Sequence, residues 1–396
     1  MTRHLIFVQA LIVLLISFVS APVRAQDGLL RGTGDLGVVI ERASGSLLII
    51  DTTKRAVVGR VEGMGDLSHA SVVFSPDQRF AFVFGRDGGL SKVDILTAKI
   101  ARRILQAGNS IGGAISDDGT LVAVSNYDPG GIRVFETSNL RLVADIPATW
   151  SGGQSKTLGL VDAPGRRFIF TLWDAGETWI ADFSSGATPA LTKLTNIGDR
   201  PYDALITADG RHYLTGLFGE DGMTVFDLWR TPLTPRRVLS GYGRGETRLP
   251  VYKMPHLEGW ALAGDRFVLP AVGRHEVLWA DARSFKELGR TKVHGQPVFA
   301  VARPDGRHVW VNFAHPRNDT IQVIDTLSGE IVREIKPGPA VLHMEFLPRG
   351  NEVWISVRDA DVIQVYDART FAKIAEIPAR RPSGIFLTAR AHRTGF

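Results

Sequence analysis

Four side chains stand out for the chemistry their types and positions allow. His69 lies in Gly65-Asp66-Leu67-Ser68-His69-Ala70, just ahead of the apolar run Ser71 to Phe74. His256 lies in Met254-Pro255-His256-Leu257-Glu258, at the equivalent point of a repeat unit about four units further on. Neutral imidazole is a good ligand for haem-type iron, and two imidazoles facing each other across a channel suit a flat ligand held between them. Arg42 and Arg86 fall at loop ends of the first two repeat units. Guanidinium grips carboxylates with two parallel hydrogen bonds, and tetrapyrroles carry several carboxylates. Each residue also has a plainer reading: a histidine at a loop mouth is usually a polar surface group, and an arginine there usually sits in a salt bridge.

Other chemistries lack their residues. The chain has no cysteine, which excludes disulfides, iron–sulfur clusters, thiolate ligation and covalent haem attachment through Cys-x-x-Cys-His. There is no Gly-x-Gly-x-x-Gly ahead of a helix, no Walker loop and no Gly-x-Ser-x-Gly elbow. The histidines do not pair at His-x-His or i,i+4 spacing, so a zinc or multicopper cluster is not expected. Basic residues are scattered, with a formal net charge of only +5, which argues against nucleic acid as a partner.

The elements that must position these side chains are short strands in a repeat. Ser75-Pro76-Asp77-Gln78-Arg79 and Ser116-Asp117-Asp118-Gly119-Thr120 each introduce an alternating apolar run. Further copies begin at Ala208-Asp209-Gly210, Pro304-Asp305-Gly306 and Pro348-Arg349-Gly350. A turn followed by an alternating strand is the hairpin signal. Each copy has a later strand ending in an acid: Asp51, Asp94, Glu136, Asp182, Asp227, Asp281, Asp325 and Asp367. Their period, roughly 45 residues with four strands per unit, predicts an all-β, eight-bladed propeller. The acids themselves are expected to accept hydrogen bonds from the turns that follow, not to bind metal. The first unit, Leu36 to Glu62, is one strand short, and Arg381 to Leu387 at the far end supplies it, closing the ring and removing its free edges. The longest interval, between Asp227 and Asp281, carries a basic insertion containing Thr234-Pro235-Arg236-Arg237 and Gly241 to Arg248.

In a propeller the inner strand of each blade starts at one mouth of the central channel. Those starts are His69, Ser110, Ser155, Tyr202 with Asp203, His256, Gln296 and His343. Asn126 to Asp128, Trp173, Phe218 and His315 are further mouth candidates. The first residues read as a secretory leader: Arg3 and His4, an apolar run from Leu5 to Val19, then Val23-Arg24-Ala25. The expected domains are residues 1–25 as signal peptide and 26–396 as one propeller, with the mature chain starting at Gln26 in the periplasm. With no cysteine, a lipid anchor on an N-terminal Cys is excluded, and the run is short for a membrane span.

At these residues the chain resembles a known family. Glu41-Arg42-Ala43-Ser44-Gly45-Ser46-Leu47, His69-Ala70-Ser71, Gly85-Arg86-Asp87, Met254-Pro255-His256, Gly350 to Val357 and Pro382-Ser383-Gly384 are similar to the haem d1 domain of cytochrome cd1 nitrite reductase. The resemblance covers roughly residues 36–390. It implies an eight-bladed d1 propeller holding haem d1, or a precursor of it, non-covalently. It makes His69 the proximal iron ligand, gives Arg42 and Arg86 the macrocycle's carboxylates, His256 one of two distal histidines, and Tyr127 a place in the pocket. The family's second distal histidine, in a His-Pro pair, has its place taken here by Arg303-Pro304, so Arg303 becomes a cofactor-binding candidate. Val72 replaces an arginine of the family pattern, and Asp128 beside Tyr127 is new relative to it. With no c-type haem, nitrite reduction is not implied. The resemblance points instead to the accessory proteins of haem d1 biosynthesis: a late periplasmic step on an iron tetrapyrrole, with Asp128 and His256 moving protons during an oxidation or dehydrogenation of its side chains. The alternative is a non-catalytic protein that delivers the cofactor to nitrite reductase. Other proteins of the pathway and the reductase itself are then the expected partners. A third reading is a repeat scaffold with no cofactor.

Overall fold

The computed structural model describes residues 31–242, 259–271 and 273–389. Among them, eight four-stranded antiparallel sheets form the blades of a β-propeller, and helix is confined to short 3-10 turns such as Arg358–Ala360. Each blade runs from an inner strand through a second and a third to an outer strand. Blade 2 is Ser71–Phe74, Phe80–Phe84, Gly89–Asp94 and Lys99–Leu105. Blade 3 opens with Asn109–Ile115 and Leu121–Asp128, blade 4 with Thr157–Ala163 and Arg167–Leu172, and blade 5 with Pro201–Ile206 and His212–Leu217. Blades 6, 7 and 8 have inner strands Ala261–Ala263, Pro297–Ala302 and Val341–Phe346.

The repeated turn residues make the first hairpin of each blade. Ser75 Oγ accepts from the amide of Phe80 at 2.9 Å, and Asp77 accepts from the amide of Arg79 at 3.1 Å. Ser116 and Thr207 repeat this with the amides of Leu121 and His212. The turn needs a left-handed residue, which is Gly119 at φ 69° and Gly210 at φ 68°. Gln78 adopts the same region at φ 58°.

Burial follows strand order. In blade 1 the second and third strands, Leu36–Glu41 and Ser46–Asp51, are buried throughout, while the outer strand Ala56–Val61 is largely open. A strand covered on both faces reads as continuous apolar residues, and each such Val, Leu or Ile contributes about 1.5–3 kcal/mol on burial. The core lies between blades: Ile40, Leu47 and Ile49 pack with Val72, Ala81, Val83 and Val93 of blade 2.

The repeat-ending acids are structural, as expected. Asp94 Oδ1 accepts from the amides of Leu96 and Thr97, and its Oδ2 meets Arg79 at 2.8 Å. Asp281, Asp325 and Asp367 hold their following turns in the same way. The ring closes through Pro382–Leu387, which pairs with Leu36–Glu41 as the inner strand of blade 1. Gly37 lets the two strands pack closely there: a Cβ would meet Leu387 Cδ2 at 2.6 Å, and that side chain would have to shift.

Antiparallel connection sorts the loops into two ends. Hairpin turns lie at one end. The segments between blades and the loops from second to third strand lie at the other, where they bond to one another: Arg42 N to Arg381 O, Arg86 N to Asp66 O, Trp173 N to Lys156 O and Ala314 N to Gln296 O. Inner strands enter from this mouth through a recurrent bulge, seen at Pro201/Ala204, Pro297/Ala300 and Val341/Met344. A bulge re-aims its side chains and leaves backbone groups to be satisfied. Buried polar residues of the second strand do so: Asn312 accepts from Phe299 N, Ser356 Oγ from His343 N, and Thr215 donates to Asp203 O.

Candidate functional site

The mouth is built on three interlocked loops. Connection 62–70 carries Asp66 and His69, loop 85–88 carries Arg86, and the end of strand Leu121–Asp128 carries Tyr127 and Asp128. Arg86 donates its amide to Asp66 O at 2.8 Å and accepts from Ser110 N at 3.4 Å. Below them a buried triad joins blades 2 and 3: Gln106 Nε2 donates to Ser110 Oγ at 2.8 Å and to Asn126 Oδ1 at 2.9 Å, and Ser110 Oγ donates to Asn126 Oδ1 at 3.0 Å. A fully satisfied buried network fixes the spacing of what it supports. Here it supports Arg86 on one side and Tyr127 with Asp128 on the other.

Arg42 and Arg86 are both half-buried, and among the described residues no carboxylate lies within ion-pair range of either. Their neighbours differ in this respect. Arg60 pairs with Glu41, Arg103 with Asp87, and Arg358 and Arg381 share Asp359. Burial lowers the Arg42 pKa first, and the charges of Arg358 and Arg381 add to this against Asp66 and Asp359. Asp66 is held below the usual carboxylate range by its hydrogen bonds with Ser68, with Arg86 and Arg42 contributing. A half-buried guanidinium with no carboxylate is poorly solvated, and an incoming carboxylate would relieve that.

The opposite part of the mouth is aromatic. Trp173 lies 4.6 Å from Phe218 and 5.7 Å from Tyr202 between ring centroids. The Tyr127 and Tyr202 hydroxyls are 3.4 Å apart. Burial raises both phenols, so both stay protonated near neutral pH, and Arg86 and Asp203 act on each. The mouth thus pairs a cationic arc from blades 8, 1 and 2 with an aromatic arc from blades 3 to 5.

His69 is exposed at the end of its connection, on the mouth side. Asp128 is also exposed, and its carbonyl accepts from Gly108 N. His256 lies outside the described residues. Arg303 is not brought to the mouth. It sits in the hairpin turn between Pro297–Ala302 and His308–Phe313, at the other end of the strands, bonded to Asp305 and to Ala368 O. One hairpin of antiparallel strands separates it from the loops it was grouped with. The His-Pro pair at the mouth is His315-Pro316, in loop 314–320 of that same blade, with a cis peptide. His315 was a mouth candidate by position, and the repeat register alone assigns it to this loop.

Arg358 and Arg381 were missed. The signal was present for Arg358, which directly follows strand Glu352–Val357 just as Arg42 follows Leu36–Glu41. His343 lines the inner wall deeper down, where its Nδ1 accepts from Ile385 N at 3.2 Å and its ring stacks on Phe386. Among the described residues no three metal-ligating side chains cluster.

Comparison with known proteins agrees with this fold. The family described as Cytochrome D1 heme domain matches residues 31–391. The chain is 60% identical to Protein NirF of Pseudomonas aeruginosa, over 94% of this chain and 95% of that protein. It is 58% identical to Protein NirF of Stutzerimonas stutzeri, over 92% and 94%. It is 28% identical to the dihydro-heme d1 dehydrogenase of Pseudomonas aeruginosa, over 88% of this chain and 70% of that protein. The solved structure of the dihydro-heme d1 dehydrogenase NirN in complex with DHE superposes with a TM-score of 0.80 at 26% identity, covering 91% of this chain and 77% of that one. The chain therefore belongs to the cytochrome D1 heme domain family, alongside the NirF proteins and the dihydro-heme d1 dehydrogenase.

Proposed function

We propose that this protein acts outside the cytoplasm in a late step of haem d1 biosynthesis, taking an iron tetrapyrrole of that pathway as substrate at the channel mouth. The observation that carries the reading is the pair of half-buried guanidiniums, Arg42 and Arg86, with no carboxylate in ion-pair range among the described residues. Two such groups on adjacent blades suit a ligand bearing carboxylates along one edge. The aromatic arc of Tyr127, Trp173, Tyr202 and Phe218 then receives the apolar body of the ring. His69, on the connection locked to Arg86 through Asp66, is the residue that would ligate the iron. The phenol of Tyr127, kept protonated, is a hydrogen-bond donor toward an oxygen of the substrate.

The name of the related dehydrogenase supports chemistry on the macrocycle's side chains, an oxidation or dehydrogenation. In this chain Asp128 and His256 are the residues we assign to proton movement, with His315 added by its place at the mouth. A second reading, cofactor binding and transfer to nitrite reductase without chemistry, is favoured by the exposure of Asp128 on the rim.

A visible-light titration of the mature protein with haem d1, beside His69→Ala, tests the site. A saturable shift of the absorption bands, altered in the variant, supports it. No shift, or the same shift in both proteins, removes it. Asp128→Ala then separates the two readings: binding kept with pathway function lost favours an enzyme, and both kept favours a carrier.

A further inference from the structure

We propose that blade 5 carries a second ligand site, an anion pocket at the end of the strands opposite the mouth, shaped for a small doubly charged oxyanion such as a dicarboxylate or a phosphate ester. This site does not depend on the tetrapyrrole reading.

The pocket arises from the first part of the basic insertion, ahead of the outer strand of blade 5. In blade 5 the turn between the third strand, Met223–Asp227, and the outer strand, Arg236–Val238, spans residues 228–235. It is longer than the equivalent turns 52–55, 95–98 and 326–330. The extra length opens a cavity of about 580 Å³ between the turn and the blade. That volume is within the range of small-molecule sites.

Its charge is unusual for the repeat. In blades 2 and 7 the repeat-ending acid meets one arginine: Asp94 with Arg79, and Asp325 with Arg307. Asp227 keeps that pairing, accepting from Arg211 Nε at 2.9 Å and Nη2 at 2.7 Å. Its other oxygen is taken by the amide of Trp229 at 3.0 Å. Arg230 reaches the same carboxylate only at 3.4 Å. Arg236, at the start of the outer strand, has no carboxylate in ion-pair range among the described residues; its guanidinium lies 5.9 Å from the Phe285 ring. Among the described residues that line the cavity, one carboxylate stands with three guanidiniums and pairs with two of them, Arg211 and Arg230, so the lining carries a formal excess of two positive charges.

The rest of the lining suits an anion with a carbon body. Thr231 and Thr234 add hydroxyl donors, and Val225 and Phe226 give an apolar floor. His212 adds an imidazole that burial keeps neutral near pH 7, with Arg211 and Arg236 acting in the same direction against Asp227 and Asp209. Arginine forks and hydroxyls bind phosphate and carboxylate through the same hydrogen bonds, so the two sources are told apart by experiment.

The test is calorimetric titration of the mature, full-length propeller with inorganic phosphate and with succinate, at ionic strength matched by chloride. It is run in the Arg42→Gln/Arg86→Gln background, so that the mouth does not contribute. The expected result is saturable one-to-one binding of one anion, at least tenfold weaker in Arg236→Gln and in Arg230→Gln, and partly restored in Arg236→Lys. Preference for phosphate assigns the phosphate-ester class, and preference for succinate assigns dicarboxylates. No saturable binding of either anion, or equal affinity in Arg236→Gln, overturns the proposal. Unchanged unfolding temperatures of the variants in chloride alone show that the fold is intact.

Discussion

The amide of Arg86 donates to the carbonyl of Asp66 at 2.8 Å, which fixes the loop bearing a guanidinium with no ion-pair partner among the described residues against the connection that ends in His69. Two blades thereby present a cation and an imidazole at a set separation before any ligand arrives. Preorganisation of this kind lowers the ordering cost of binding.

From this arrangement, Arg42→Gln and Arg86→Gln should each weaken tetrapyrrole binding about tenfold or more, since a charge-assisted hydrogen bond contributes about 1.5–3 kcal/mol. The absorption spectrum of the complex should keep its shape, because the iron ligand is untouched. Equilibrium titration monitored in the visible region measures both. A changed band position in Arg86→Gln would mean that the arginine acts on the iron's surroundings and not on a carboxylate.

His69→Ala should give the reverse pattern: altered band positions with the carboxylate contacts kept. Adding imidazole to the variant should restore the bands. A variant spectrum identical to the parent's would place the axial ligand elsewhere.

The Gln106–Ser110–Asn126 triad should behave as a unit. Asn126→Leu leaves Gln106 and Ser110 buried without their shared partner, at a cost of about 1–3 kcal/mol. The unfolding temperature should drop, and tetrapyrrole affinity should fall as well, because Arg86 and Tyr127 lose their common support. Stability lost with affinity unchanged would confine the triad to folding.

Glu41 gives the molecule a titratable clamp at the seam. It is fully buried, accepts from Arg60 Nε and Ser46 Oγ, and takes the amide of Arg380 at 2.8 Å. Burial pushes its carboxyl up, but the hydrogen bonds from Arg60, Ser46 and Arg380 outweigh this and hold it below the usual value. A depressed folded pKa contributes stability that is complete above about pH 4.3, the unfolded value, and is lost as pH falls through the folded value. Thermal unfolding measured from neutral to acid pH should show Glu41→Gln less stable than the parent near pH 7, with the gap closing in acid. A gap independent of pH would contradict the linkage.

Deleting residues 382–396 removes the inner strand of blade 1 and exposes two sheet edges. Cooperative unfolding should be lost and aggregation should appear in light scattering. For a milder test, Ile385→Ala empties a fully buried position and should cost about 2–5 kcal/mol.

By itself the sequence determined the blade count and the role of the repeat-ending acids, because both are local, and it showed the closing strand as the one strand missing from the first unit and left over at the end of the chain. A Ser-x-Asp-Gly turn, an alternating strand and a terminal Asp need only neighbours within one blade, and the spacing of the acids counts the blades. It also marked Arg42, Arg86 and His69, which stand at the loop ends that the repeat sends to the mouth. What only the tertiary structure decided is which of these groups share an end, and which already have a partner. Arg303 and His315 are close in sequence and flank one strand, His308–Phe313, yet the hairpin puts Arg303 at the far end and His315 at the mouth. Arg42 and Arg358 hold the same place in their units, but Arg358 pairs with Asp359, which it shares with Arg381, and Arg42 has no ion-pair partner among the described residues. The Tyr127–Tyr202 contact joins blade 3 to blade 5 across a whole blade. Such pairings depend on how blades pack around the ring, and packing sums many weak, non-directional contacts that a linear pattern does not record.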